Sequence, residues 1–160
     1  MKYFILIVLV LLAACNNGSN NADKSSGTVR NHDTTTSNSE TAIQCYESIN
    51  EKDTVYLNLF EQSEIITGSL IYFHYEKDAN VGTINGSMHG DTLFAEYVFS
   101  SEGLSSIRDV AFLKKGSDFI EGYGDMKQEG EKMAFKNTAT LSFTGKPLNK
   151  VDCAALGVKK

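Results

Sequence analysis

Residues 81–100, VGTINGSMHGDTLFAEYVFS, read as two strands joined by a turn. In the second half Leu93, Ala95, Tyr97 and Phe99 alternate with Thr92, Glu96 and Ser100, and in the first half Gly82, Ile84 and Gly86 share one side. Alternation with a period of two marks a half-buried strand, whereas a helix repeats its apolar positions every three to four residues. His89-Gly90-Asp91 supplies the turn between them, because Gly and Asp tolerate the backbone angles that tight turns require.

The same pattern extends in both directions. Val55, Leu57 and Leu59 alternate with Thr54, Tyr56 and Asn58, and Ile66, Leu70 and Tyr72 share a face with Gly68. Beyond the quoted segment, Arg108, Val110 and Phe112 lie on one face, residues 119–124 form a short strand, and 133–143 form the last. In that last strand Ala139, Leu141 and Phe143 oppose Thr138, Thr140 and Ser142. A short first strand near 45–49 completes about eight strands with no helix. The expectation is an all-β domain, an antiparallel meander closing into a small up-and-down barrel, with a β-sandwich as the alternative. Gly68, Gly82, Gly86 and Gly122 inside strands predict bulges or tight curvature, as a closing sheet requires. A transmembrane barrel is excluded, because outward positions would include Thr54, Asn58, Glu96, Lys136 and Thr138 and no lipid-facing apolar band could form.

The N-terminus reads differently. Met1-Lys2 precedes an apolar or aromatic run, residues 3–12, and then Leu12-Ala13-Ala14-Cys15. A positive start, a short apolar run and small residues before a cut are the parts of a secretory signal; a helical span would need about 20 apolar residues. Leu12-Ala13-Ala14-Cys15 resembles the lipobox of bacterial lipoproteins, a resemblance that covers the first fifteen residues. It implies cleavage before Cys15, lipid on its thiol, and anchorage in a bacterial cell envelope. Asn16 in place of an aspartate implies the outer membrane. Residues 16–42 hold sixteen Ser, Thr or Asn and three apolar residues, a composition that favours a flexible tether with a mean reach of about 30 Å. The domains expected are a signal peptide at 1–14, a lipid-anchored tether at 15–42, a β domain at 43–153 and a tail at 154–160. As a whole the chain is similar to the many small exported β-rich lipoproteins of unknown function. It also looks like the membrane-bound lysozyme inhibitors and the copper-stress lipoproteins in architecture. It lacks the Ser-Gly inhibitory loop of the first group and the Cys-x-x-Cys of the second, so neither function is implied.

Cys45 and Cys153 bracket the β domain. In an oxidising envelope such a pair reads as a disulfide, and closing a loop of about 100 residues stabilises by roughly 4–5 kcal/mol in the chain-entropy view. Closure of an even-stranded meander makes its first and last strands neighbours, which brings the two cysteines together.

Between the cysteines 17 acidic and 10 basic residues leave a net charge of −7. Nucleic acid is excluded as a partner, because its binding needs a cluster of phosphate-facing cations. In the meander His74 falls opposite the region of Gly82 and His89 lies seven residues further on, about 23 Å away at strand rise, too far for one metal ion. Gly86-Ser87-Met88-His89-Gly90 departs from the Gly-x-Ser-x-Gly elbow of serine hydrolases. Asp78-Ala79-Asn80-Val81-Gly82 lacks the ligand spacing of a calcium loop. No catalytic residue, metal site or cofactor is expected.

The expectation is therefore a monomeric, non-catalytic binding module, tethered to the membrane by its lipid. The alternative is a structural or adaptor lipoprotein of an envelope complex. An eight-stranded interior is just wide enough to be filled by side chains, which leaves function to the rims and loops. In the meander, turns at 50–53, 76–80, 100–103 and 125–131 share one end. Their eight acids, Glu51, Asp53, Glu76, Asp78, Glu102, Asp125, Glu129 and Glu131, against Lys52, Lys77 and Lys127, give that rim a net charge of −5. Glu76, Asp78, Asn80, Glu102 and Arg108 are its candidate binding residues, with a basic protein or a divalent cation as partner.

Cys15→Ser is expected to abolish fatty-acid labelling and release the protein from membranes. Labelling that persists in this variant would remove the lipoprotein reading.

Overall fold

Six strands in succession form the meander in the computed structural model, which describes residues 42–156. They are β1 (Gln44–Asn50), β2 (Asp53–Gln62), β3 (Ile65–Phe73), β4 (Asn80–His89), β5 (Thr92–Ser101) and β6 (Leu104–Lys115), each antiparallel to the next. β7 (Asp118–Gly122) turns back on the C-terminal half of β6. β8 (Met126–Glu129) and β9 (Lys132–Phe135) make a hairpin, and β9 runs parallel to the N-terminal half of β6 through Ile107↔Lys132 and Arg108↔Met133. After a 3-10 turn at Thr138–Thr140, β10 (Asn149–Val151) returns to β1 with Cys45 opposite Val151. A one-turn helix, Cys153–Leu156, follows. Among the described residues no helix is long and apolar enough to cross a membrane.

The molecule is all-β, with one mostly antiparallel sheet of ten strands, ordered β10-β1-β2-β3-β4-β5-β6-β9-β8 with β7 paired to β6. The inward rows are those the alternation predicts. Leu57, Leu70, Ile84, Leu93, Tyr97 and Phe112 are fully buried, joined by Tyr46 and Leu148. Their side chains fill the inside of the curled sheet away from its rim.

Two expectations are corrected. The sheet does not close into a barrel. β7 ends after five residues, so no strand runs the full height of β6 to meet β10. The bridge Phe119↔Leu148 spans that gap, its two N–H groups donating to the opposite carbonyls at 3.1 and 2.7 Å, and the Lys150 N–H donates to Asp118 Oδ1 at 3.0 Å beside it. The count of eight also fails at the C-terminal end, where residues 133–143 are not one strand. Asn137 caps the 3-10 turn by accepting from the Ala139 N–H at 3.0 Å. Leu141 and Phe143 then pack over Gly124 and Gly122, in space that a Cβ would otherwise occupy. Their alternation is genuine, but its burial comes from side chains lying on glycine backbone.

The glycines act through curvature, not bulges, because the β2–β3, β3–β4 and β4–β5 registers run without interruption. A Cβ at Gly68 would collide with the Asn58 carbonyl oxygen, and one at Gly82 with that of Val98. Register also moves His74. Gly82 pairs with Leu70, and Tyr72 with Asn80, so His74 lies beyond the end of β3 and His89 at the opposite end of β4. Cys45 and Cys153 are disulfide-bonded, with Cα atoms 5.2 Å apart.

Gly68→Ala should destabilise the domain by about 3 kcal/mol or more, because backbone has to move to admit the methyl group. Gly90→Ala, at a φ of 61° with open space around it, should cost only about 1–2 kcal/mol. Urea unfolding of both variants checks this; equal costs would contradict the close-approach argument.

Candidate functional site

At the end of the sheet away from Cys45 the inward rows change character. Where the core has Leu and Phe, the last inward positions of β3, β5, β6 and β7 carry Tyr72, Tyr97 with Phe99, Arg108 and Glu121. Tyr97 and Arg108 are direct cross-strand partners. Phe99 stacks on Tyr97 at 4.6 Å, and Tyr72 meets Tyr97 edge-on at 5.9 Å. The Arg108 guanidinium carbon lies 5.1 Å from the Tyr72 ring centre and 5.6 Å from those of Tyr97 and Phe99. Ring faces attract a cation, but they accept no conventional hydrogen bond. The buried Arg108 Nε–H has no partner. Among the described residues no carboxylate comes within 4 Å of the guanidinium nitrogens.

The nearby acid is held elsewhere. Glu121, buried on β7, accepts from the Tyr72 hydroxyl at 2.6 Å on Oε1 and from the Tyr123 hydroxyl at 2.8 Å on Oε2. Burial first, and then the Glu121 charge, raise the Tyr72 phenol well above the ordinary tyrosine range, and the same two causes raise Tyr123. Burial pushes Tyr97 up to about 12 against the opposing effect of Arg108. The Tyr97 hydroxyl reaches two carbonyls, Leu70 O at 2.9 Å and Asn80 O at 3.0 Å. All three phenols therefore act as proton-bearing donors around a cation and an acid that do not touch.

Above this cluster a cavity of about 370 Å³ opens at the rim, lined by Ser48, Asn50, Asp53, Val55, Tyr72, His74, Asn80, Arg108, Glu121, Tyr123, Gly145, Lys146 and Leu148. Asp53 accepts from the Tyr75 N–H at 2.8 Å, the main cause of a lowered carboxyl pKa, and lies 3.7 Å from His74 Nδ1. Lys146 Nζ donates to the Ile49 carbonyl at 2.6 Å. A second cavity of about 250 Å³ lies in the fork where β7 and β9 part along β6, and it shares Arg108, Glu121 and Tyr123 with the first. These three side chains form the wall between the two.

The five rim residues predicted from sequence divide. Glu76 and Asp78 lie in the β3–β4 turn and Glu102 in the β5–β6 turn, at one end of the meander; Glu76 and Glu102 have φ of 58° and 51°. Asn80 and Arg108 line the cavity instead. Glu102 and Arg108 do not form an ion pair, because Arg108 is on the inward face with Val110 and Phe112. Cys15, the signal segment and the tether up to residue 41 lie outside the described residues. Tyr72, Tyr97, Phe99, Glu121 and Tyr123 are site residues that the sequence reading did not single out. The usable signal was a charge in an inward slot: Arg108 two residues before Val110, and Glu121 two after Phe119.

Ser87 and His89 do meet, Oγ to Nε2 at 3.2 Å, on the exposed end of β4. Among the described residues no carboxylate orients that imidazole, and an activated serine depends on a base held by a third group. Nor do the described residues contain a group of three or more His, Cys, Asp or Glu able to hold a metal ion.

No protein-family model, curated protein or solved structure matches this chain. The site is read from its own chemistry.

The raised phenols carry a stability consequence. A folded pKa above the unfolded value of about 10 means the fold holds those protons more tightly. That contribution is complete below about pH 10 and is lost as pH rises through the folded values. Alkaline spectrophotometric titration should show the buried Tyr72 and Tyr97 ionising late, together with unfolding, and Tyr123, more than half exposed, ionising before them. Glu121→Gln should bring Tyr72 and Tyr123 to lower pH; unchanged late ionisation would contradict the role given to Glu121.

Proposed function

We propose that this domain is a non-catalytic binding module, presented from a lipid-anchored tether in the bacterial cell envelope, and that its ligand site is the rim cavity. The observation that carries the reading is the cavity floor: an arginine with a buried, unpartnered donor, caged by Tyr72, Tyr97 and Phe99. A concave site with an aromatic wall and a few fixed polar groups is the usual form of a small-molecule receptor. The absence of catalysis is part of the proposal and is supported by Glu121, whose two oxygens are both engaged by phenols. The placement in the envelope is supported by the Leu12-Ala13-Ala14-Cys15 resemblance, and by the Cys45–Cys153 bond, which suits an oxidising compartment.

A second reading keeps the acidic rim as a dock for a basic protein. The observation favouring it is that the 51–52, 74–79 and 102–103 turns stand at one end of the meander. Attraction between exposed charges decays over about 8 Å at physiological salt, so this surface would govern the rate of approach.

One comparison separates the two. Gly145 lines the cavity, and a Cβ there meets only Tyr123 at 3.5 Å and the Glu121 carbonyl oxygen at 4.0 Å, so Gly145→Phe places a plug without backbone strain. In a small-molecule screen followed by protein NMR, the parent should show ligands that shift Val55, Tyr72 and Leu148, and the plugged variant should lose them. Salt-sensitive binding of a lysine-rich peptide, lost in the triple variant Glu76→Gln, Asp78→Asn, Glu102→Gln and kept in the plugged one, would favour the rim. If no ligand depends on the open cavity, the receptor reading fails.

A further inference from the structure

We infer that the rim cavity takes a small organic monocarboxylate, whose carboxylate pairs with the Arg108 guanidinium. This deepens the receptor reading and rests on it.

Charge balance is the first argument. The guanidinium lies among three aromatic rings, which stabilise a cation but offer none of the in-plane acceptors that its five N–H groups seek. A buried donor without a partner is costly, and the Nε–H is in that state. The natural neutralising group, Glu121, is held by two phenols on its own two oxygens. Tyr72 and Tyr123 thereby keep the resident acid from closing an ion pair with the arginine. The cation is left available to a guest.

Position is the second argument. Arg108 belongs to the walls of both the 370 Å³ and the 250 Å³ cavities, so it stands at the meeting point of two open spaces. A carboxylate entering from the rim would engage the Nε–H and one terminal nitrogen together, in the forked geometry that carboxylates match. Its hydrocarbon or aromatic body would rest against Val55, Tyr72 and Leu148, the apolar part of the lining.

The remaining charges select the class. Asp53 and Glu121 match Arg108 and Lys146 in number. Glu121, however, is held by the two phenols and Asp53 by the Tyr75 N–H and His74, so Arg108 is left without a carboxylate and one singly charged guest can pair with it. A phosphate monoester, with its second charge, would face both acids and the acidic turns around the mouth. An uncharged amide of the same shape offers the guanidinium one carbonyl oxygen, without the charge and the second oxygen that strengthen the contact. Carboxylate is the anion that this arrangement favours.

The test uses the full chain in non-lipidated form, with benzoate, benzamide and phenyl phosphate as matched probes in protein NMR titrations. Benzoate should bind in the millimolar range or tighter and shift the Arg108 Nε–H resonance. Benzamide and phenyl phosphate should each bind about tenfold or more weakly, the ratio that one charge-assisted contact supplies. Arg108→Gln should weaken benzoate by a similar factor, and Gly145→Phe should abolish its binding. If Arg108→Gln does not fold, the Nε–H shift in the parent and the amide and phosphate ratios decide the matter alone. Benzamide or phenyl phosphate matching benzoate, or benzoate binding that ignores Arg108, overturns the proposal. Cavity-dependent binding of other compounds without any carboxylate preference overturns the proposal and leaves the receptor reading standing. No cavity-dependent binding of any compound overturns both.

Discussion

The missing side chains at Gly68, Gly82 and Gly86 are the constraint on which the rest of the structure depends. At each position the carbonyl oxygen of a neighbouring strand, from Asn58, Val98 or Phe94, stands where a Cβ would be. Three such contacts on adjacent strands, β3 and β4, let the sheet coil sharply without breaking register. Only a strongly coiled sheet brings β3 and β7 face to face, and the Tyr72–Glu121 hydrogen bond, 49 residues apart in sequence, crosses the interior on that account. Strain at these glycines would therefore reach the Tyr72–Glu121 contact, although none of the three touches Glu121.

Much of this architecture was legible in the sequence, and the reason is steric. Period two is absolute in a strand, so the inward rows from Val55 to Phe112 could be assigned without knowing any partner. The cysteine pair was legible because a returning chain has few places to end. The last third was less legible. Leu141 and Phe143 alternate as a strand should, but their burial against Gly122 and Gly124 comes from tertiary contact that no local pattern records. Sheet closure was illegible for a related reason: it turned on β7 stopping at Gly122, and strand ends are set by what the neighbouring chain offers. The site was half legible. Acidic turns could be placed at one end by counting strands, and Arg108 could be placed on a face with Val110 and Phe112, but its setting among rings from β3 and β5 depends on how the sheet curls and no local pattern records it.

The cluster at the rim runs against ordinary stability logic. A partly buried cation and a buried acid on neighbouring strands would normally be joined, since separated charges in a poorly solvated site are each costly to maintain. Here two phenols hold the acid and three rings hold the cation. Local rules are broken most often where function needs the exception, and tyrosine suits the task because its hydroxyl can serve a carboxylate while its ring faces a guanidinium.

The pairing of β1 with β10, with the covalent bond between Cys45 and Cys153 beside it, has a consequence for how the domain can be handled. The two ends of the described chain lie side by side, so chain order is nearly irrelevant to the packing. A circular permutant opened at the exposed Gly116 turn, with a short link across the old termini, keeps every strand pair. For the same reason the domain could be inserted as a cassette into a surface loop of an unrelated host, which need only present two attachment points a few ångströms apart.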